Sequence, residues 1–176
     1  MLFIPTPLDG AFVIEPERRA DERGYFARTF CNNEFAEQGL ETSFVQANAA
    51  SSKNRGTVRG LHLQLAPHEE VKVVRCTQGA VFDVIVDCRV DSKTRHQWFG
   101  ATLTADKGNQ LYVPKGFAHG YQVLEDNSEL TYLVSAHYTP NAESGIRWDD
   151  PAIGIEWPIS DSVDLSEKDA AWPLLP

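Results

Sequence analysis

The feature that most constrains the fold is a series of short segments rich in Val, Ile, Phe, Tyr and Thr, separated by Gly, Asp, Asn or Pro turns. Such segments at close spacing are typical of β-strands, and helical periodicity is scarce along this chain. Two segments favour short helices, residues 32–40 and 166–172. The predicted strands are AFVIEP, GYFARTF, SFVQANAA, TVRGLHLQ, EVKVVRCTQ, AVFDVIVDC, QWFGATLTA, NQLYVP, AHGYQVL and ELTYLVSAHY.

These strands predict an all-β fold with a closed or double-sheet architecture such as a jelly roll. The length of 176 residues fits one domain, so we expect residues 1–176 to form a single unit. The sequence contains neither a solenoid-type repeat nor a linker. The turn-rich, aromatic stretch after residue 139 is expected to wrap the barrel.

Charge and cysteine content restrict the partners and the compartment. The net charge of −9 disfavours nucleic acid, whose phosphates are usually met by a basic face. No apolar run approaches the ~18–20 residues that span a bilayer, and the N-terminus lacks the pattern of a secretion signal. Cys31, Cys76 and Cys88 are an odd number of cysteines without a CxxC motif, which disfavours a disulfide framework. We therefore expect a cytoplasmic protein with neither a nucleic-acid nor a membrane partner.

The segment TVRGLHLQLAPHEEVKVVRC alternates like a strand, yet it places Arg59, His62 and Lys72 among apolar residues. Solvated surface charge is one explanation. The other is a site that removes a proton from an anionic substrate, because a few cations that converge locally can bind an anion even in an acidic protein. In AVFDVIVDC, Asp83 and Asp87 point the same way because side chains alternate along a strand, and both could simply face solvent.

The segment GNQLYVPKGFAHG resembles the second motif of the cupin barrels, in which His119 would enter the barrel mouth. Metal-dependent cupins usually carry a His-x-His pair in their first motif, but the matching GLHLQ has Gln64 at the second position. Two histidines and an amide are a poor ligand set for Zn²⁺ or Fe²⁺. We therefore expect acid–base chemistry, for which histidine is suited, rather than a metal site.

Seven motifs in the same order make the chain similar to the dTDP-4-dehydrorhamnose 3,5-epimerases, which are cupin-fold enzymes without a catalytic metal. The resemblance runs from about residue 3 to residue 175. It implies an isomerase that needs no cofactor, forms a homodimer, and converts dTDP-4-dehydro-6-deoxy-D-glucose to dTDP-4-dehydro-L-rhamnose by inverting C3 and C5. The motifs are DERGYF, FVQANAASS, TVRGLH, VKVVRCTQGAVFDVIVDCR, YVPKGFAHGY, GIRWDDPAIGIEWP and LSEKDA.

The resemblance also implies roles for individual residues. His62 would be the general base, Asp169 would orient it, Lys72 would stabilise the C4 oxyanion, and Tyr132 would donate the proton on the opposite face. From pattern alone, Tyr132 would be assigned to the core. The substrate contacts implied in the same way are Arg23 and Arg59 to the diphosphate, Gln46 and Asn48 to the nucleotide, Tyr138 stacked on the base, Asp83 and His119 in the sugar pocket, and Glu143 and Lys168 at further contact positions.

One position departs from the family pattern. Arg28 stands where the family usually has a glutamate that meets thymine, so the nucleotide base that is bound stays open. Other readings also stay open: a related epimerase that inverts one carbon only, a metal-dependent cupin, and a barrel that binds a sugar nucleotide without catalysis.

Overall fold

The computed structural model describes residues 1–175, in which strands dominate and helices are short. The helices are α1 (Asn32–Glu37) and α2 (Glu167–Ala170), with a 3-10 turn at Pro140–Ala142. The strands are β1 (Leu2–Pro5), β2 (Phe12–Glu15), β3 (Arg18–Asp21), β4 (Gly24–Ala27), β5 (Gln46–Ser52), β6 (Val58–Gln64), β7 (Lys72–Gln78), β8 (Ala80–Asp87), β9 (Trp98–Thr104), β10 (Gln110–Val113), β11 (Phe117–Val123), β12 (Ser128–Val134) and β13 (Glu143–Gly145).

Two sheets form the barrel. One has the strand order β1-β2-β10-β7-β12-β5 and the other the order β13-β6-β11-β8-β9, while β3 and β4 form a separate two-stranded sheet. The main core lies between the two sheets: Val74 and Leu130 face it from the first sheet, and Val81 and Ile85 face it from the second. Because side chains alternate along a strand, one face of each of these two sheets meets the shared core, and the predicted cupin-type jelly roll is confirmed.

The outer faces of both sheets are partly covered. The C-terminal stretch lays Ile146 and Ile153 against Val84 and Val86 on the outside of the second sheet. On the first sheet, helix α1 buries Phe35 completely among aromatic side chains of the sheet and of the neighbouring loops. The turn-rich stretch after residue 139 therefore packs on the barrel, and it brings α2 beside β6.

All ten predicted strands are present, with bounds that differ by a few residues, and the sequence reasoning missed three others. Strands β1 and β3 are exposed four-residue segments, and β13 has three residues. Short edge strands lack the alternation over 4–8 residues on which strand prediction depends. The predicted strand ELTYLVSAHY ends at Val134, because the chain leaves the sheet before Tyr138.

Asp83 and Asp87 do not face solvent, since both are fully buried. Asp83 pairs with His119 in the barrel interior. Asp87 accepts hydrogen bonds from Arg89, Ser92 and other groups of the following loop. Burial raises the pKa of Asp87, but these donors outweigh it and hold the pKa far below its usual range. The surface explanation for these two carboxylates is therefore wrong.

Strands β6 and β11 approach each other unusually closely at two glycines. Gly60 has φ +121°, and a Cβ added there would lie 2.6 Å from Cα of Gly120 and 2.8 Å from the carbonyl oxygen of His119. These are backbone atoms, which cannot swing aside as a flexible side chain can. The contact also fixes His62 opposite His119 in the pairing of the two strands.

We expect Gly60→Ala to lower the free energy of unfolding by about 2–5 kcal/mol, because it combines a strained φ with backbone overlap. Urea denaturation measures this change. Gly39→Ala is the matched control, because Gly39 also has a positive φ but a Cβ there would meet nothing within 4 Å. Its cost should stay near the conformational term of about 1–2 kcal/mol. Equal losses in the two variants would refute the close-approach argument.

In the described part of the chain, neither helix is long and apolar enough to cross a membrane.

Candidate functional site

A pocket of about 420 Å³ opens between the two sheets and gathers most of the chemically active side chains. A larger hollow of about 650 Å³ borders the loop at 89–94, but Arg89 there is already paired with Asp87. The smaller pocket is therefore the candidate active site. Its lining residues are Gln46, Asn48, His62, Leu63, Gln64, Glu70, Lys72, Tyr132, Val134, Tyr138 and Glu143.

His62 and Asp169 form a close pair. Nε2 of His62 lies 2.6 Å from Oδ1 of Asp169, although 107 residues separate them in the sequence. Ser166 caps helix α2 by accepting the backbone N–H of Asp169, and this places the carboxylate against β6. Burial raises the pKa of Asp169, but the hydrogen bond and charge of His62 and the N–H of Gly60 outweigh this effect. The net result is a pKa below the usual value of an aspartate. Asp169 is thus a charged, buried acceptor that can orient and stabilise a protonated imidazole.

Lys72 is held from one side by a second carboxylate. Its Nζ lies 3.2 Å from Oε1 of Glu70, and both side chains are almost buried. Oε2 of Glu70 accepts a hydrogen bond of 3.4 Å from the amide of Gln64. The ammonium therefore borders the pocket with this carboxylate on one side, where its N–H donors can also meet a ligand oxygen.

Tyr132 enters the pocket from the opposite sheet. It lies on β12, while His62 lies on β6 of the other sheet. Burial raises the pKa of the Tyr132 phenol, the negative charge of Glu70 raises it further, and the positive charge of Arg59 opposes both effects. The phenol therefore keeps its proton at neutral pH. The core position indicated by its apolar strand neighbours is only half correct, because the side chain both packs against the core and lines the cavity.

Three polar side chains form the mouth of the pocket. Oη of Tyr138 donates to Glu143 at 3.0 Å, and Nζ of Lys168 lies 2.6 Å from the other oxygen of Glu143. Burial opposes ionisation of Glu143, but Lys168 and Tyr138 outweigh it and lower its pKa. The ring of Tyr138 is 58% exposed, so its face is open for stacking. Gln46 accepts the backbone N–H of Tyr138 at 3.1 Å and so holds the backbone of Tyr138 at the edge of the pocket.

His119 and Asp83 lie behind the lining rather than on it. His119 is paired directly with His62 across the two strands, so both side chains project from the same face of the sheet. Its Nε2 lies 2.9 Å from Oδ1 of Asp83, and both side chains are buried. The expectation that they line the pocket is therefore not met, because both are buried behind it.

The three arginines differ in position. Arg59 donates to the hydroxyl of Ser52 and to the carbonyl of Ser51, and its charge acts on Tyr132. Arg23 is exposed in the turn between β3 and β4, where Asp21 pairs with it.

Arg28 pairs with Glu34 at 3.1 Å. It lines a separate small hollow together with Met1 and Glu17. None of the three arginines is among the lining residues of the 420 Å³ pocket of the same chain, although Arg59 lies on β6 beside it.

The residues do not fit a cupin-type metal centre. Oε1 of Gln64 accepts the N–H of Thr139 at 2.6 Å, and its Nε2 donates to the carbonyls of His68 and His137. The amide is thus occupied by the loops that frame the pocket. Within residues 1–175, no group of three His, Cys, Asp or Glu side chains is arranged to hold a metal ion.

Sequence reasoning overlooked Glu70 and Ser166. Glu70 precedes Lys72 by two residues at the start of a predicted strand, where the period of 2 places both on one face. That signal was present in EVKVVRC and could have identified the pair. Ser166, three residues before Asp169, carried the usual signature of a helix N-cap.

A cupin-type barrel whose pocket carries a carboxylate-bound histidine on one sheet and a protonated tyrosine on the other has the composition of an acid–base isomerase. The profile of one family, described as dTDP-4-dehydrorhamnose 3,5-epimerase, matches residues 5–176. The chain belongs to this family, and the predicted isomerase with C3/C5-epimerase function is confirmed.

The chain is similar to known proteins along almost its full length. The chain is 44% identical to the dTDP-4-dehydrorhamnose 3,5-epimerase of Salmonella typhimurium, over 99% of this chain and 96% of the relative. The crystal structure of the Bacillus anthracis enzyme, with TDP and PPi bound, superposes with a TM-score of 0.95 at 41% identity and covers 99% of both chains. The Legionella pneumophila enzyme, in complex with dTDP-4-keto-L-rhamnose, has a TM-score of 0.93 at 40% identity, over 98% of this chain and 92% of that one.

Proposed function

We propose that the protein converts dTDP-4-dehydro-6-deoxy-D-glucose to dTDP-4-dehydro-L-rhamnose by removing and returning protons at C3 and C5, without a cofactor. The observation that carries this proposal is the position of His62 and Tyr132 on opposite sheets that face one pocket. Inversion of a carbon centre requires a base on one face of the sugar and an acid on the other. A barrel that supplies them from two walls satisfies this requirement.

His62 is the proposed base. A hydrogen on a carbon next to a ketone is acidic only because the resulting charge spreads to the oxygen. His62 takes the proton, and the charged Asp169 at 2.6 Å stabilises the imidazolium that forms. Lys72, at the wall of the same pocket, stabilises the C4 oxyanion. A positioned base of this kind contributes ~10²–10⁴-fold to the rate.

Tyr132 is the proposed acid. Its raised pKa means that the phenol is protonated before the enolate forms, so it can deliver a proton to the face opposite His62. His119 and Asp83, which lie behind the lining, are proposed to support the wall of the sugar pocket through their ion pair.

The mouth of the pocket is the proposed nucleotide site. The open ring of Tyr138 offers a stacking surface for the base, next to Gln46 and Asn48. Arg59 is proposed to bind the diphosphate, for which the planar guanidinium is suited. Glu143 and Lys168 complete the rim.

A homodimer is proposed to complete this site. Strands β3 and β4 form a separate two-stranded sheet, and they expose Tyr25 and Phe26 by 55% and 66%. An exposed aromatic hairpin of this kind favours contact with a second copy of the chain. We propose that Arg23 and Arg28 reach the pocket of the partner subunit and contact the nucleotide bound there. Because position 28 is a cation, the preference for one nucleotide base stays open.

A cytoplasmic location is also proposed. The three cysteines are all free thiols, with Cys76 buried and Cys31 and Cys88 partly exposed. Unpaired thiols are the usual state in a reducing compartment.

The test is incubation of the protein with dTDP-4-keto-6-deoxyglucose in heavy water, with UDP- and dCDP-linked forms of the same sugar in parallel. We expect deuterium at both C3 and C5 and a product with the L-configuration. Nuclear magnetic resonance of the product measures both. Deuterium at one carbon only would show that the protein inverts a single centre. No deuterium with any of the nucleotide forms would show that the protein binds the sugar nucleotide without catalysis.

A further inference from the structure

One carboxylate in the pocket has no role in the mechanism above. Glu70 lines the cavity beside Lys72 and Gln64, and its side chain is only 13% exposed. A buried carboxylate is costly unless charge and hydrogen bonds compensate it. Its presence in a pocket that must accept an anionic substrate therefore needs a functional explanation.

Glu70 connects a rigid frame to the catalytic cation. Gln64 is held by the backbone of both loops that frame the pocket, through Thr139 on one side and His68 on the other. The Gln64 amide in turn donates to Oε2 of Glu70 at 3.4 Å, and Oε1 of Glu70 lies 3.2 Å from Nζ of Lys72. A lysine side chain has four rotatable bonds, so it reaches one defined place only when such a partner restrains it.

We propose that Glu70 is a positioning residue of the epimerase reaction, which holds the Lys72 ammonium at the place where the C4 oxygen of the substrate becomes negative. The proposal rests on the proposed role of Lys72 and adds a residue to it. Misplacement of a catalytic group by 1 Å costs on the order of 10²-fold in rate. The gain from restraining Lys72 can therefore offset the cost of burying the Glu70 carboxylate.

The charge of Glu70 gives a second effect. A negative charge favours the protonated forms of neighbouring acids, and it raises the pKa of the Tyr132 phenol in addition to the effect of burial. Removal of that charge should let neighbouring acids lose their protons at lower pH. The alkaline limb of the rate profile should then move to lower pH. The titratable and charged groups around the pocket are His62 and Arg59 on β6, Lys72 on β7, Tyr132 on β12, Tyr138 and Glu143 at the mouth, and Lys168 and Asp169 on α2.

The experiment compares Glu70→Gln, Glu70→Ala and Glu69→Gln with the wild-type protein. The Gln variant keeps an acceptor for Lys72 but removes the charge, and the Ala variant removes both. Glu69→Gln removes one negative charge from the adjacent residue, which does not line the pocket. Deuterium exchange at C3 gives kcat and KM over a range of pH, and selective reductive methylation followed by mass spectrometry gives the reactivity of the Lys72 amine without substrate.

We expect Glu70→Ala to lower kcat by about 10–10²-fold. Glu70→Gln should keep most of kcat at neutral pH and move the alkaline limb to lower pH. Lys72 should be methylated faster in both variants, and Glu69→Gln should match the wild type.

The inference is wrong if Glu70→Ala retains wild-type kcat and Lys72 reactivity, or if Glu69→Gln shifts the limb equally. An inert wild-type protein would instead overturn the proposed function. In that case the methylation rates still decide whether Glu70 restrains Lys72.

Discussion

A His62→Ala variant is expected to lose hydrogen exchange with solvent at both C3 and C5, with a drop in rate of ~10²–10⁴-fold. The physical reason is that one imidazole, bound to Asp169 at 2.6 Å, is the proposed acceptor for both protons. Without it, the remaining groups can stabilise the oxyanion but cannot accept the proton from C3 or C5. Incubation in heavy water, followed by mass spectrometry of the recovered sugar nucleotide, measures the loss.

The control is His68→Ala, because His68 is exposed and its side chain does not line the pocket. Its exchange rate should match the wild type. Binding of dTDP by the His62→Ala variant, measured by calorimetry, should be nearly unchanged, which separates a chemical defect from a folding defect. Near-normal exchange in the His62→Ala variant would disprove the assignment of the base.

A Tyr132→Phe variant is expected to behave differently. It keeps His62 and Lys72, so proton removal and exchange should continue, while inversion falls by ~10²–10⁴-fold, at least at C5. The reason is that the phenol, protonated because of its raised pKa, is the proposed acid on the opposite face. Analysis of both label and configuration in the product separates the two steps.

Tyr112→Phe is the matched control for this change. It also removes one phenolic oxygen, but that oxygen accepts the N–H of Glu41 outside the pocket. It should cost some stability and leave inversion intact. Simultaneous loss of exchange and inversion in the Tyr132→Phe variant would show that Tyr132 takes part in proton removal, and its assignment as the acid alone would then be wrong.

Local patterns were sufficient for the barrel strands. The segment AVFDVIVDC is mostly apolar because one side of β8 meets the core while the other is covered by the C-terminal stretch. The same local patterns failed for β1, β3 and β13, which are too short to show a period. They also failed for Asp83 and Asp87, because burial of a carboxylate depends on its partners, which are His119 of another strand for Asp83 and Arg89 of the following loop for Asp87.

The candidate site was less accessible to this reasoning. His62 and Lys72 lie on strands that the pattern identified, so their approximate location followed from the sequence. The role of Asp169 came from resemblance alone, since by itself it would be taken for a surface carboxylate. The structure adds Glu70, and it places Arg23 and Arg28 outside the lining of their own chain's pocket.

By itself, the sequence determined an all-β chain, its main strands and the family to which it belongs, because alternation and motifs are properties of neighbouring residues. The tertiary structure decided which distant side chains meet: His62 with Asp169 across 107 residues, and Gln64 with the backbone of Thr139 across 75. Contacts of this kind depend on how two sheets and a C-terminal helix pack together. No local period encodes that packing, because it is set by the simultaneous burial of surfaces that lie far apart along the chain.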